Sequence, residues 1–423
     1  MSIWGNRIRL ETSGGSHAPC VRVRLCGLPE GLPVDEAAIT ALLSERKSKT
    51  GGATERTERD EPKILKGIRQ GKTTGEDVVA EFPNADVQSD YSVYTVTPRP
   101  SHADYFVLRK SGENAVKEGR YGGRMTVGLV FAGGVTAGYL KQKGVCVSAR
   151  LVQAGSVVGT DESSFRKMEQ AAREAKKQGD SIGGVIECRV TGLPACLGEP
   201  PYDGWKNLLS SLLFSIPALV GVEFGSGFSA AERRGSENND AYVWKNGVVA
   251  TETNRAGGVI GGYTTGNDVV FRVAMKPAPT VSVPQRTVNL QTGEETTVSF
   301  GGRNDACVAF RAVACVKAAA MLTATELLLR EESATISALR AEIDSLDDRL
   351  KELYLRRLAV AEQIGERKAK KGLATEDGAR EAEILQRLTE GEEKETSVQI
   401  RMLWQRIFEL SKKRQSEKNK KKP

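Results

Sequence analysis

Cations stand inside the apolar stripe of a long helical segment near the C-terminus. Ile336, Leu339, Ile343, Leu346, Leu350 and Leu353 alternate three and four residues apart, the spacing of a coiled-coil-like packing face. The next position on that stripe is Arg357, and after Val360 and Ile364 it arrives at Arg367 and Lys368. Burying a guanidinium without a partner costs on the order of several kcal/mol. Such a cation therefore either meets an anion or snorkels along its stem to water, and the first alternative implies a site for a small anionic ligand. The only two histidines offer a second kind of chemistry. His17 lies in Gly14-Gly15-Ser16-His17-Ala18, where paired glycines let backbone amides approach a ligand. His102 lies in Arg99-Pro100-Ser101-His102-Ala103-Asp104-Tyr105, with an Arg and an Asp within reach to set its protonation. Each could act as a general acid near neutral pH or be structural.

The composition narrows the classes. At 423 residues the chain is long enough for two or three domains. No apolar run approaches the roughly 18 residues that span a bilayer, and the first residues have no signal-peptide core. The expectation is therefore a cytoplasmic protein without a membrane partner. Seven cysteines, odd in number and never in a CxxC pair, argue against a disulfide framework and against a metal site. The net charge is +7, with much of the excess in Lys412, Lys413, Arg414, Lys418, Lys420, Lys421 and Lys422. No aromatic residue interleaves those cations, so a solvated, disordered basic tail over 417–423 is expected rather than a nucleic-acid interface.

The elements that must position these residues fall into two styles. Up to about Leu329 short β-rich runs alternate with glycine-rich loops. Val21 to Leu25 alternates as a half-buried strand, and Asp35 to Arg46 has helical spacing with Asp35 as the N-cap. Residues 47 to 61 are dense in Lys, Arg, Gly and Thr, and read either as an anion-facing segment or as a solvated loop. Beyond Leu329 glycine and proline nearly vanish, and Glu, Lys, Arg, Leu and Ala dominate, the composition of packed helices. The long helix ends near Lys371-Gly372, with Gly372 as its C-cap. A second runs from about Asp377 to Leu388, with Asp377, Glu381, Leu385 and Leu388 on one face. A third runs from Ser397 to Gln415 on Ile400, Leu403, Ile407 and Leu410, with Ser411 and Gln415 at its flank.

The first 331 residues resemble chorismate synthases. The resemblance rests on Gly-Ser-His at 15–17, Gly-Lys-Thr-Thr-Gly at 71–75, and Arg-Pro-Ser-His-Ala-Asp-Tyr at 99–105. Gly-Asp-Ser-Ile-Gly-Gly at 179–184, Arg-Gly-Ser-Glu-Asn at 234–238, Asn-Arg-Ala-Gly-Gly at 254–258, Met-Lys-Pro at 275–277 and Arg-Asn-Asp-Ala-Cys at 303–307 continue it in order. The resemblance implies a β-α-β sandwich, an α+β fold that assembles as a tetramer. It implies a reaction that removes phosphate from 5-enolpyruvylshikimate 3-phosphate to give chorismate with the help of reduced FMN. Carried over by motif, His17 would protonate the reduced flavin, His102 the departing phosphate, and Asp305 would help the flavin N5 act as base. Arg46, Arg56, Arg124 and Arg311 would surround the substrate, and Gly257, Gly258, Lys276 and Arg303 the flavin. The chain departs from the family pattern at Ser101, where a glycine is usual, and at Asn304, where a histidine is frequent.

Residues 332–416 resemble the small all-helical chorismate mutases, a three-helix all-α domain. Leu339-Arg340, Arg356-Arg357, Gly365-Glu-Arg-Lys368, Asp377-Gly-Ala-Arg380-Glu381, Ser411 and Gln415 carry that resemblance. It implies that Arg357 and Arg340, the latter from a partner's long helix, take the two carboxylates of chorismate. Lys368 and Gln415 would hydrogen-bond the ether oxygen, and Glu381 would accept from the ring hydroxyl, with Asp377, Arg380 and Ser411 bordering the pocket. Rearrangement to prephenate needs no nucleophile or metal, only a dianion held in its folded conformer and charge stabilised as the ether bond breaks. The two resemblances together lead us to expect a bifunctional enzyme built as a tetramer of two entwined dimers. The alternative is a monofunctional synthase whose helices serve only to hold copies together.

Overall fold

A computed structural model describes residues 2–47, 60–85, 92–119, 121–245, 247–300, 305–333, 336–374 and 376–420. The chain divides into two compact units, Met1–Glu332 and Ser333–Pro423.

In the first unit the alternating strands form two five-stranded antiparallel sheets. One contains β1 (Ser2–Trp4), β2 (Arg9–Gly14), β3 (Cys20–Cys26), β4 (Lys63–Lys66) and β5 (Val78–Pro83), in the order β1-β2-β3-β5-β4. The stretch expected as a strand at 21–25 lies within β3, where Val21, Val23 and Leu25 face inward and Arg22 and Arg24 outward. The other sheet contains β6 (Cys146–Ala154), β7 (Val157–Val158), β8 (Gly184–Thr191), β9 (Leu219–Phe224) and β10 (Val269–Met275), ordered β9-β10-β8-β6-β7. Helix α1 (Glu36–Arg46) starts at Asp35, whose carboxylate accepts from the Ala38 amide at 3.1 Å, the expected cap.

Two apolar helices fill the space between the sheets. Gly128 of α2 (Thr126–Gln142) lies against Thr12 and Val23 of the first sheet, and Gly133 against Ala318 of α3 (Ala309–Ser333). Ala309, at the start of α3, abuts Gly184 of the second sheet. The result is the expected β-α-β sandwich with one continuous core. By length and composition α3 could cross a bilayer, contrary to the expectation that no run comes near that limit. It is instead the central core helix, and nearly all of its most apolar stretch is buried. Within it Glu326 is fully buried and accepts from the backbone amides of Asn6, Arg7 and Ile8 at 2.7–3.2 Å, tying the first strands to the core.

The second unit is three helices: α4 (Ile336–Lys370), α5 (Gly378–Thr389) and α6 (Lys394–Lys420). Gly372 has φ +64° and donates to Ala369, while Leu373 donates back to Lys368, a glycine C-cap where it was expected. Asp377 caps α5 through the Arg380 amide at 3.1 Å. Three features add to or differ from the expectations. First, α6 includes residues 417–420 of the expected tail, and 421–423 lie outside the described residues. Second, the face that α6 packs against its neighbours carries the expected Ile400 and Ile407 together with Trp404, Phe408, Ser411 and Gln415, whereas Leu403 and Leu410 are exposed. Third, the apolar stripe of α4 is not covered by α5 or α6. Leu339, Ile343, Leu346, Leu350 and Leu353 are each about half exposed, and α4 packs instead through Tyr354, Leu358, Ala361, Gly365 and Lys368, one helix face further round.

Candidate active sites

A cleft of about 2240 Å³ opens in the first unit, and the structure brings His17, Arg46, His102, Arg124, Lys276, Asp305 and Arg311 to its walls. These residues come from the loops after β2 and β10, the turn just before the helix Asp104–Ser111, the end of α1, and the starts of α2 and α3.

His17 sits in a turn pinned from two sides. Its amide donates to Glu118 at 3.0 Å and the Ser16 amide to Gly119 at 3.3 Å. Asn84 donates from Nδ2 to the carbonyls of Gly15 and Ala18 at 2.9 and 2.6 Å, and accepts from Arg124 Nε at 2.9 Å. Gly119 has φ +63°, and a Cβ there would stand 2.9 Å from the imidazole Cδ2 of His17. Any larger residue would displace the ring.

Arg46 and Arg124 share a carboxylate that the sequence did not single out. Asp60 is buried, accepts from Arg46 Nη1 at 2.6 Å and also pairs with Arg124 Nη1. One anion thus fixes two guanidinia separated by 78 positions in the chain.

His102 belongs to an ionic triad. Its Nδ1 lies 2.6 Å from Asp104 Oδ1, while Arg99 grips the same carboxylate through Nε at 2.7 Å and Nη2 at 2.8 Å. The contact to the carboxylate is shorter than the 3.1 Å from Nδ1 to Arg99 Nη2, so Nδ1 carries a proton directed at Asp104 and Nε2 is left to exchange one. Burial pushes the Asp104 carboxyl upward, but hydrogen bonds from Arg99 and His102 and their charges outweigh it and hold the group well below the ordinary carboxylate range. Arg99 is stacked 3.9 Å from the Tyr94 ring centroid. Ser101 takes φ +56°, the conformation a glycine would adopt readily, and its carbonyl accepts from Lys276 Nζ at 2.8 Å. Lys276 thereby reaches the His102 loop from the end of β10. Asp305 lies 3.5 Å from Arg311 Nε.

Gly257 and Gly258 are placed elsewhere. Both have positive φ and press against the backbone of Gly225, Asp268 and Val270, a structural contact outside the cleft walls. Arg56 and Arg303 lie outside the described residues.

In the second unit α4 and α6 run the same way, and their contact gathers Arg357, Lys368, Ser411 and Gln415. Arg357 is half-buried, donates from Nη1 to Ser411 Oγ at 3.0 Å and sits over the Phe408 ring at 5.4 Å from its centroid. Among the described residues no carboxylate pairs with it. Gln415 Nε2 donates to the Ala361 carbonyl at 2.8 Å, which fixes the amide and leaves its second N–H. Lys368 Nζ lies 3.7 Å from Asp377 Oδ2. Glu381 is half-buried on α5 and pairs with Lys412 at 3.3 Å. Arg380 is exposed and turned to Glu383 at 2.6 Å. Arg340 is exposed too, and 17 residues of helix put it about 25 Å along α4 from Arg357, beyond reach of this pocket in its own chain.

The profile of the family "Chorismate synthase" matches residues 8–329, about three quarters of the chain. The chain belongs to the chorismate synthase family. "Chorismate mutase type II" matches residues 339–416. Together the synthase and mutase domains make a bifunctional shikimate-pathway enzyme, a lyase in its first domain and an isomerase in its second. A protein of Thermococcus kodakarensis named chorismate synthase is 40% identical over 347 residues, 78% of this chain and 98% of the relative. One of Lachnospira eligens with the same name is 37% identical over 373 residues, 84% of this chain and 99% of the relative. A crystal structure of a chorismate synthase superposes with a TM-score of 0.61 over 82% of this chain and 99% of the other, at 24% identity, a likeness of fold.

Proposed function

We propose that the cleft of the first unit binds 5-enolpyruvylshikimate 3-phosphate beside reduced FMN, and that the three-helix unit holds chorismate at Arg357. The cleft suits both guests. It is large enough for a flavin mononucleotide and a substrate together, and its cations suit their phosphates and carboxylates. Reduced flavin, when bound, supplies the electron density that makes carbon–oxygen cleavage accessible. Arg46 and Arg124, fixed by Asp60, hold the anionic substrate without reorganising during the reaction. His102, oriented by Asp104 through Nδ1, gives the proton on Nε2 to the departing phosphate, a far better leaving group once protonated. His17 lines the same cleft and would hold a proton for the flavin, and Asp305, beside Arg311, would assist at the flavin N5. What supports this assignment is that both histidines and five charged residues, scattered over nearly 300 positions, line one cleft.

In the mutase the supporting observation is the half-buried guanidinium of Arg357, anchored by a hydroxyl and a phenyl ring and paired with no carboxylate among the described residues. Its charge is available to a ligand's carboxylate. Lys368 and the second N–H of Gln415 would meet the ether oxygen, and Glu381 the ring hydroxyl. The second carboxylate would go to Arg340 of another copy, brought in by pairing the exposed stripes of two α4 helices. We further propose a tetramer of two such dimers, working in the cytoplasm.

The test supplies the purified chain with reduced FMN and 5-enolpyruvylshikimate 3-phosphate, and follows chorismate and prephenate. His102→Gln should lower the first reaction by about 100-fold or more while added chorismate is still rearranged. Arg357→Ala should do the reverse. Losses that do not separate in this way would refute the assignment.

A further inference from the structure

Lys412 has no role in the readings above, yet it makes two ionic contacts at the mutase pocket. Its Nζ lies 3.0 Å from Glu376 Oε1, and 3.3 and 3.4 Å from the two oxygens of Glu381. It follows Ser411 directly, so it stands about 100° round α6 from the residue that anchors Arg357. Phe408 and Gln415, four before and three after it, are neighbours on that surface and both contact α4. Lys412 therefore belongs to the pocket side of α6 but turns toward α5. Its hydrogen bond to Glu376, opposed by a smaller effect of burial and reinforced by Glu381, holds the ammonium above the ordinary lysine range, so it stays charged in any neutral assay.

Glu381 poses an electrostatic problem that Lys412 answers. A pocket that takes a dicarboxylate gains from every cation and is repelled by every carboxylate near it. An ionised Glu381 is nevertheless the acceptor that a ring hydroxyl needs. Building on the mutase reading above, we propose that Lys412 is a positioning residue: it cancels the charge of Glu381 and holds its carboxylate in place, so that an acceptor can face the substrate hydroxyl without repelling the dianion. The contact to Glu376 also ties the segment before α5 to α6. The Lys368–Asp377 pair fastens the same segment to α4.

The experiment measures chorismate rearrangement by the full-length chain and its variants. Lys412→Met should raise KM about three- to tenfold, the range for a partly exposed charge, with kcat changed much less, because the repulsion acts on bound substrate and transition state alike. Lys412→Arg should restore the parent KM. In the Lys412→Met background, Glu381→Gln should add no further rise in KM, because a neutral acceptor needs no cancelling. Synthase turnover of the same samples reports that the chain is folded. Parent-like KM in Lys412→Met, or losses from the two substitutions that simply multiply, would overturn the inference while leaving the mutase reading intact. A parent chain that does not rearrange chorismate would overturn that reading, and this inference with it.

Discussion

Buried carboxylates decide what the cationic side chains can do. Asp104 and Asp60 each hold guanidinia that would otherwise be free to turn, and preorganised charge is worth more to a reaction than mobile charge. The Asp104 pair also carries stability, with a definite sign in pH. A carboxyl held below its ordinary value in the folded state stabilises above the unfolded value, about 4, and loses that contribution as the pH falls toward the folded one. Asp104→Asn leaves Arg99 buried against a neutral partner and should cost about 3–5 kcal/mol at neutral pH. Urea unfolding of parent and variant should converge as the pH drops below the ordinary carboxylate range. A gap that stays constant from pH 7 to pH 3 would show that the ion pair is not its source.

Two helices can meet closely only where a side chain is missing. Gly365 of α4 is buried against α6, and a Cβ there would stand 2.9 Å from Cγ of Gln415 and 3.2 Å from its Cβ. Because Gln415 is flexible, Gly365→Ala should push its amide off the Ala361 carbonyl rather than separate the helices. Rearrangement should then slow about tenfold or more, the loss of one aligned donor to developing charge, with the melting of the helical unit almost unmoved. Unchanged turnover would remove Gln415 from the reacting groups. The helix faces themselves were only partly legible. The spacing of Ile400, Leu403, Ile407 and Leu410 correctly announced an amphipathic helix, but its packed face lies through Trp404, Phe408 and Ser411. Periodicity says which residues share a side, and a stripe wide enough for two neighbours does not say which neighbour takes which edge.

At the scale of the molecule, the exposed stripe of α4 is the feature that calls for another copy. A helix does not ordinarily leave a run of half-exposed leucines and isoleucines at heptad spacing, and covering the exposed half of each is worth about 1 kcal/mol. Leu350→Asp should therefore split the proposed dimer, read by sedimentation. It should also remove mutase activity, because Arg340 of a second chain could no longer reach Arg357. Retention of full mutase activity by a monomeric variant would sink the shared-site arrangement. Synthase activity offers an internal control, since its cleft is lined by residues of the first unit alone.

The residues able to do chemistry, their motif order, the helix stop at Gly372, the cap at Asp35 and the change of style after Leu329 could all be read from the chain, because each rests on local spacing or on conformations that one residue type permits. Tertiary structure alone decided that Asp60 joins Arg46 to Arg124, that Glu326 captures three amides more than 300 residues away, and that Lys412 faces Glu381. Those pairings depend on the path of the chain between distant elements, and no periodicity in either partner records where the other will arrive.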